Sequence, residues 1–375
     1  MARTKKEKEV IEPSSKDMEL ELDAAWGVLD KLNPDSAILD ENSLSLVDDW
    51  IDTGSYALNA IISGSLFRGV PVGRITGLYG LQATGKTLLA NKIMANAQKK
   101  GYRIVYFDSE NALDSITAEN LGCDSSKIKH APIETVEDCK IQAIQLLTNL
   151  IEKNLKRKVM IVIDSLGNLN TRKELDDALE NKSAGDMGLR AKQMSSLLRN
   201  ITFRAAKAET PVIFTNHVYE NPGEMYPSLI KKQSGGLKPL FIASVLLQLS
   251  TITEKVKDET GTPAAASILS GNITGLHLKA LTTKNRFVPP FIETTMYLNY
   301  KTGLSKYVGL VDMAQAYGIL TKDGHSQVYK GEKVGKLAEI ENNAEFWEKS
   351  GILQELDALI QKDLTFSSTA KEVTV

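Results

Sequence analysis

Between residues 52 and 249 the apolar positions fall into two alternating rhythms. Short, almost wholly apolar runs at 74–79, 103–107, 159–163, 211–215 and 243–249 are separated by stretches in which apolar residues recur every three or four positions. Runs that are apolar throughout predict strands buried on both faces, and the helical stretches between them predict a mostly parallel sheet covered on both sides. Ahead of this region, residues 1–15 are charged and aperiodic, whereas Met18, Leu22, Ala25, Leu29 and Leu32 recur at helical spacing. That pattern predicts an amphipathic helix whose apolar face either folds back on its own core or docks on a neighbour. Further on, 276–281 and 291–298 read as two strands joined through 282–290, extending the sheet with an antiparallel edge. After Gly303 the spacing turns helical, through 311–317 and 346–360. The expected organisation is an arm and helix at 1–50, an α/β core at 51–302 and a small helix-rich C-terminal domain at 303–375.

Composition changes this picture little. With 42% hydrophobic and 25% charged residues, 375 residues can bury a full core. The two cysteines, Cys123 and Cys139, have neither metal-type spacing nor a His cluster beside them, which fits a reduced environment. No apolar run approaches a membrane span and no signal core opens the chain, so a soluble, cytoplasmic protein with no membrane partner is expected. A net charge of −2 means that any nucleic-acid site must be a local basic surface.

Candidate chemistry is concentrated at one point. Gly80, Leu81, Gln82, Ala83, Thr84, Gly85, Lys86 and Thr87 spell the phosphate-loop pattern G-x-x-x-x-G-K-[ST], between a strand-like run and a helix-like one. A triphosphate needs several backbone N–H groups turned inward, and glycines at both ends allow that curvature. Lys86 is then expected at the β- and γ-phosphates of ATP, Thr87 at Mg²⁺ through its hydroxyl, and the following helix with its positive end toward the anion.

Residues 159–163 end in Asp164, a carboxylate at a strand terminus, where it would hold Mg²⁺ directly or through water. A capping Asp on a buried strand would read the same without a phosphate loop upstream. Another strand ends at Asp108 and Glu110, either of which could orient a water at the γ-phosphate, and Glu110 is the candidate general base. A third strand ends in Asn216 and His217, polar groups that would sense the γ-phosphate, although a structural His at a strand end reads alike.

In order and spacing these motifs resemble the RecA family of ATP-dependent DNA recombinases, most closely its phage branch, the UvsX-type recombinases. The resemblance rests on residues 53–60, 73–87, 107–114, 163–169, 186–192 and 216–220, and runs from about residue 50 to 310. It implies a RecA-like P-loop ATPase core. The runs 164–169 and 216–220 point to the phage branch, with His217 where cellular relatives usually carry Gln. It makes His217 the γ-phosphate sensor and puts Glu110 on the family's catalytic glutamate. Family members polymerise head to tail on single-stranded DNA with ATP between subunits. Lys284 and Arg286 fall where the family keeps two cations that reach the neighbour's phosphates, and the arm and helix at 1–50, outside the stretch of resemblance and not aligned with the family's polymerisation helices, are expected to make a subunit contact.

Two DNA-binding loops are also implied. The first lies near residues 172–188, with Met187 at its end and Arg190, just beyond, as a further DNA contact. The second, 218–237, contains Tyr226, Lys231 and Lys232 and closes on Gly235 and Gly236. Met187 and Tyr226 suit wedges between bases and the lysines suit phosphates. The chain departs from the family where cellular relatives offer an aromatic to stack on adenine, since it has Thr117, and its tail lacks an acidic run. The implied activity is that of a DNA-dependent ATPase which coats single strands, pairs them with a homologous double-stranded DNA and exchanges strands in recombination and repair. A single-strand-binding protein and a loader would be its partners, in the host cytoplasm if the source is viral. A RecA-core hexameric helicase would share Lys86, Thr87 and Asp164, and a non-catalytic DNA-binding accessory protein would keep the fold. Retention of Lys86, Glu110 and Asp164 together favours an enzyme.

Overall fold

The computed structural model describes residues 15–36, 44–182, 187–219, 232–233, 242–251, 275–299 and 303–364. These fall into one unit up to Val47 and another from Asp48 onward. In the first, Ser15–Leu32 is a helix, as its spacing predicts, and Met18, Leu22, Trp26 and Leu29 on it are each more than half exposed.

The second unit is built around one large sheet. Among the described residues nine strands follow each other across it: Gly303–Leu304, Glu293–Asn299, Gly275–Asn285, Val245–Thr251, Ile75–Gly80, Val212–Tyr219, Val159–Asp164, Arg103–Asp108 and Ile128–Pro132. A tenth, Lys232–Gln233, pairs antiparallel with the end of Val212–Tyr219. The six strands from Val245–Thr251 to Ile128–Pro132 run parallel, and the rest of the main path is antiparallel.

The period of two in strand geometry explains why the central runs are apolar throughout. Ile104, Tyr106, Met160 and Val162 pack on one face with Leu89, Ile93 and Met94 of helix Lys86–Lys99. Their sequence neighbours Phe107, Ile161 and Ile163 pack on the other, against Cys139, Leu147 and Leu197 of helices Val136–Glu152 and Met187–Lys207. Nearly every one of these side chains is inaccessible to solvent. Burial accordingly pushes the Cys139 thiol up to about 12.

Two expectations change. The strand after Gly275 continues to Asn285, through a register shift between Thr282 and Lys284, so Lys284 lies on a strand rather than in the connection. The region after Gly303 has the expected helices, Leu310–Ala316 and Ile352–Leu364 among them, but also a three-stranded antiparallel sheet, Leu320–Asp323, Ser326–Tyr329 and Glu332–Lys336. Asp357, buried, accepts from the Ser65 hydroxyl at 2.8 Å and the Leu66 N–H at 2.6 Å, tying the last helix to the turn after Tyr56–Ser63.

Candidate nucleotide site

The parallel strands deliver the expected residues to one end of the sheet. Gly80 closes its strand opposite His217 on one neighbour, and Asp108 pairs with Asp164 two strands further on. At Gly80 a Cβ would run into the Leu249 carbonyl and the Thr84 hydroxyl, so only glycine lets the chain turn there. Ala83 and Gly85 take left-handed φ values of 60° and 79°, which curls the loop onto the first turn of helix Lys86–Lys99. This curled loop on a helix N-terminus is the form that receives phosphate.

Lys86 is buried and donates to the carbonyls of Gly80 at 3.1 Å and Leu81 at 2.7 Å. Burial lowers its pKa, against the opposing pull of the Glu110 and Asp164 carboxylates. Thr87 donates its hydroxyl to Asp164 Oδ2 at 2.9 Å. That oxygen also accepts from the Tyr106 hydroxyl at 2.5 Å, and the other accepts from Thr215. Burial, then the nearby Asp164 charge, raises the Tyr106 phenol far above its ordinary value, so it remains a donor. The Thr87 hydroxyl and Asp164 carboxylate form a hard, all-oxygen pair of the kind Mg²⁺ takes together with phosphate and water. Among the described residues no group of three His, Cys, Asp or Glu is placed to hold a metal by itself. The Asp164–Ser165 peptide is cis.

Glu110 and His217, far apart in sequence, meet at 2.9 Å, and Asn168 donates to the same Glu110 oxygen at 3.0 Å. The loop carrying Glu110 is organised by Asp108. Its carboxylate accepts the N–H groups of Glu110 and Asn111 at 3.0 and 2.7 Å and of Leu113 at 3.3 Å, and lies 2.9 Å from His130 Nε2. Burial raises Asp108, but the His130 contact and the three N–H bonds outweigh it and hold the carboxyl below its ordinary range.

Lys284 and Arg286 do not join this group. Lys284 is level with Leu246, which pairs with Gly77, and Asn285 is level with Val245, which pairs with Thr76. Arg286 is therefore displaced from Gly80 by more than about 13 Å along the strand direction, toward the opposite end of the sheet. Lys284 is held down to about 8 by burial and then by the Arg286 charge. The cations beside Lys284 belong to a second locus that includes Arg74, lowered by burial and by Arg286.

Met187 begins helix Met187–Lys207. Arg190, three residues on, donates from its guanidinium to the Gly167 carbonyl. Lys232 is in the short strand Lys232–Gln233, while Tyr226, Lys231, Gly235 and Gly236 lie outside the described residues. Thr117 bonds Asp114 through both N–H and hydroxyl, each at 2.8 Å. Sequence reasoning missed Tyr106, Thr215 and Asn168. The first two sit on strands whose apolar neighbours conceal them, and Asn168 lies in the run 164–169, which carries the resemblance without giving the residue itself a role.

A family model described as the RecA N-terminal domain matches residues 21–305. Protein RecA of Streptomyces ambofaciens is 32% identical over 328 residues, 87% of this chain and 82% of its own. Protein RecA of Paenarthrobacter aurescens is 31% identical over 352 residues, 93% of each chain.

Proposed function

The chain belongs to the RecA family, as a DNA-dependent ATPase and recombinase, and we propose that it works as a helical filament on single-stranded DNA, pairing that strand with a homologous duplex and exchanging strands. The observation that carries this reading is the separation of two loci. Lys86, Thr87, Asp164, Glu110 and His217 converge at one end of the sheet, whereas Lys284 lies back along the strands at the level of Gly77 and Arg286 further still. A triphosphate in the loop would meet the second locus only if a neighbouring protomer supplied it, which makes ATP the glue of the assembly.

This reading assigns each residue a role. Lys86 neutralises the β- and γ-phosphates of ATP. Thr87 and Asp164 would hold Mg²⁺, which when bound would balance charge on the transferring phosphoryl. Glu110 takes the proton of the attacking water and His217 senses the γ-phosphate. Lys284 and Arg286 act in trans on the neighbour's ATP, where fixed cations stabilise developing charge. Met187, Arg190 and the segment with Tyr226, Lys231, Lys232, Gly235 and Gly236 meet DNA. The exposed apolar face of helix Ser15–Leu32 supplies a subunit contact. His217 at a position where Gln is usual supports a UvsX-type assignment within the family, with a single-strand-binding protein and a loader as partners in the cytoplasm. No described helix is long and apolar enough to cross a membrane.

Negative-stain electron microscopy with ATP and single-stranded DNA tests this reading. Helical filaments are expected for the parent protein and none for Lys86→Ala, whose hydrolysis should fall by about a hundredfold or more. Closed rings would move the assignment to a hexameric helicase, and unchanged filaments in Lys86→Ala would count against ATP-gated assembly.

A further inference from the structure

Glu110 receives two neighbours on one oxygen. Asn168 Nδ2 donates to Oε1 at 3.0 Å and His217 Nε2 lies 2.9 Å from the same atom. Among the described residues Oε2 carries no hydrogen bond. A carboxylate held by two donors on one oxygen cannot rotate freely, and its other oxygen points in a set direction.

Asn168 is itself exposed, yet its N–H donates to the Ser165 carbonyl at 3.3 Å and the backbone around it is anchored. Its flanking residues Leu166, Gly167 and Leu169 are buried. The Asn170 N–H donates to the Glu134 carbonyl at 3.0 Å, and the Asn170 carbonyl accepts from Val136 at 2.9 Å, bridging this segment to the start of helix Val136–Glu152. Ser109, one residue before Glu110, donates its hydroxyl to the Ser165 carbonyl at 2.8 Å and accepts the Ser165 N–H at 2.9 Å. The turn bearing the amide and the loop bearing the carboxylate are thereby locked to each other. Arg190 adds a hold from helix Met187–Lys207 through the Gly167 carbonyl. An amide on so fixed a support sets the angle of its partner, which a swinging surface side chain cannot do.

We infer that Asn168 is a positioning residue for Glu110, an assignment that rests on the reading of Glu110 as general base. With Asn168 and His217 on Oε1, Oε2 is the atom that takes the proton from water. The water oxygen bonds the γ-phosphorus as the bond to the β,γ-bridging oxygen breaks, and ADP leaves with that electron pair. Misorientation of such a base costs rate without weakening the binding of ATP.

The test compares ATP turnover by full-length variants on saturating single-stranded DNA. Asn168→Ala should lower kcat about tenfold or more, with KM for ATP, filament formation and the unfolding midpoint unchanged. Asn168→Asp keeps the shape while opposing Glu110 with a second carboxylate, and should fall at least as far. Asn168→Gln keeps the donor and should recover part of kcat. In a Glu110→Gln background Asn168→Ala should cause no further loss, because the amide acts through the carboxylate. Wild-type kcat in both Asn168→Ala and Asn168→Asp, a change confined to KM, or a rise in DNA-free turnover would overturn the positioning role. Normal turnover by Glu110→Gln would instead remove the base assignment on which it stands.

Discussion

Asp164 shows how the site is supported from behind, by Tyr106 and Thr215, as well as from within it, by Thr87. Its carboxylate is buried and meets three hydroxyls, from Thr87, Tyr106 and Thr215, so its charge is compensated before any cation arrives. Removing the phenol in Tyr106→Phe should cost about 2 kcal/mol, since a buried hydrogen bond to a charged group is lost. Urea unfolding measures this, and an unchanged midpoint would show that the bond contributes nothing net. Asp108 invites a pH experiment. Its folded value lies below its ordinary one, so the folded state binds fewer protons and the group's contribution is fully present above about pH 4. As pH falls through the folded value that contribution is lost. The parent should therefore lose more stability between about pH 5 and pH 3 than Asp108→Asn does. Equal slopes for the two proteins would contradict this.

Elements were legible where burial was uniform. The strands ending at Gly80, Asp108 and Asp164 are apolar on both faces, because helices cover both, and their runs stand out in the sequence. Strand Ile128–Pro132 did not, for it is the sheet's last strand on that side and Lys129, His130 and Pro132 on it are exposed. The C-terminal hairpins were hidden for another reason: their pairing depends on turns of two residues. Lys330 and Gly331 both take left-handed φ, at 52° and 86°, and only the glycine advertises it. The phosphate loop, Asp164 and Glu110 were readable from local spacing, whereas the contact of Glu110 with Asn168 and His217 exists only once three separate strands lie side by side. Helix Ser15–Leu32 was readable as a helix, and its exposed Trp26 makes its role testable. Trp26→Glu should weaken filament assembly while leaving helix content and ATP binding intact, as sedimentation, circular dichroism and nucleotide titration would report. Unaltered assembly would take the subunit contact away from this helix.

At the scale of the molecule, the proposed filament would make ATP a bridge between the phosphate loop of one protomer and the Lys284 and Arg286 locus of the next. Lys284 gives this a proton signature. Burial and Arg286 hold it at about 8, so between that value and 10.5 the folded protomer binds fewer protons than the unfolded chain. Across that window its contribution to stability rises with pH, because the cost of a buried charge is being removed. A neighbour's triphosphate would restore the charge, so ATP-driven assembly near pH 8.5 should take up protons, seen by calorimetry in buffers of different ionisation enthalpy. Lys284→Met should abolish the uptake, and uptake that persists in that variant would assign it elsewhere. The measurement that bears most directly on the central claim is phosphate release with and without single-stranded DNA, for the parent and for Glu110→Gln. Strong stimulation by DNA in the parent, and turnover lost in Glu110→Gln, is the predicted result. Hydrolysis indifferent to DNA, or retained in Glu110→Gln, would contradict a DNA-dependent ATPase that uses this carboxylate as its base.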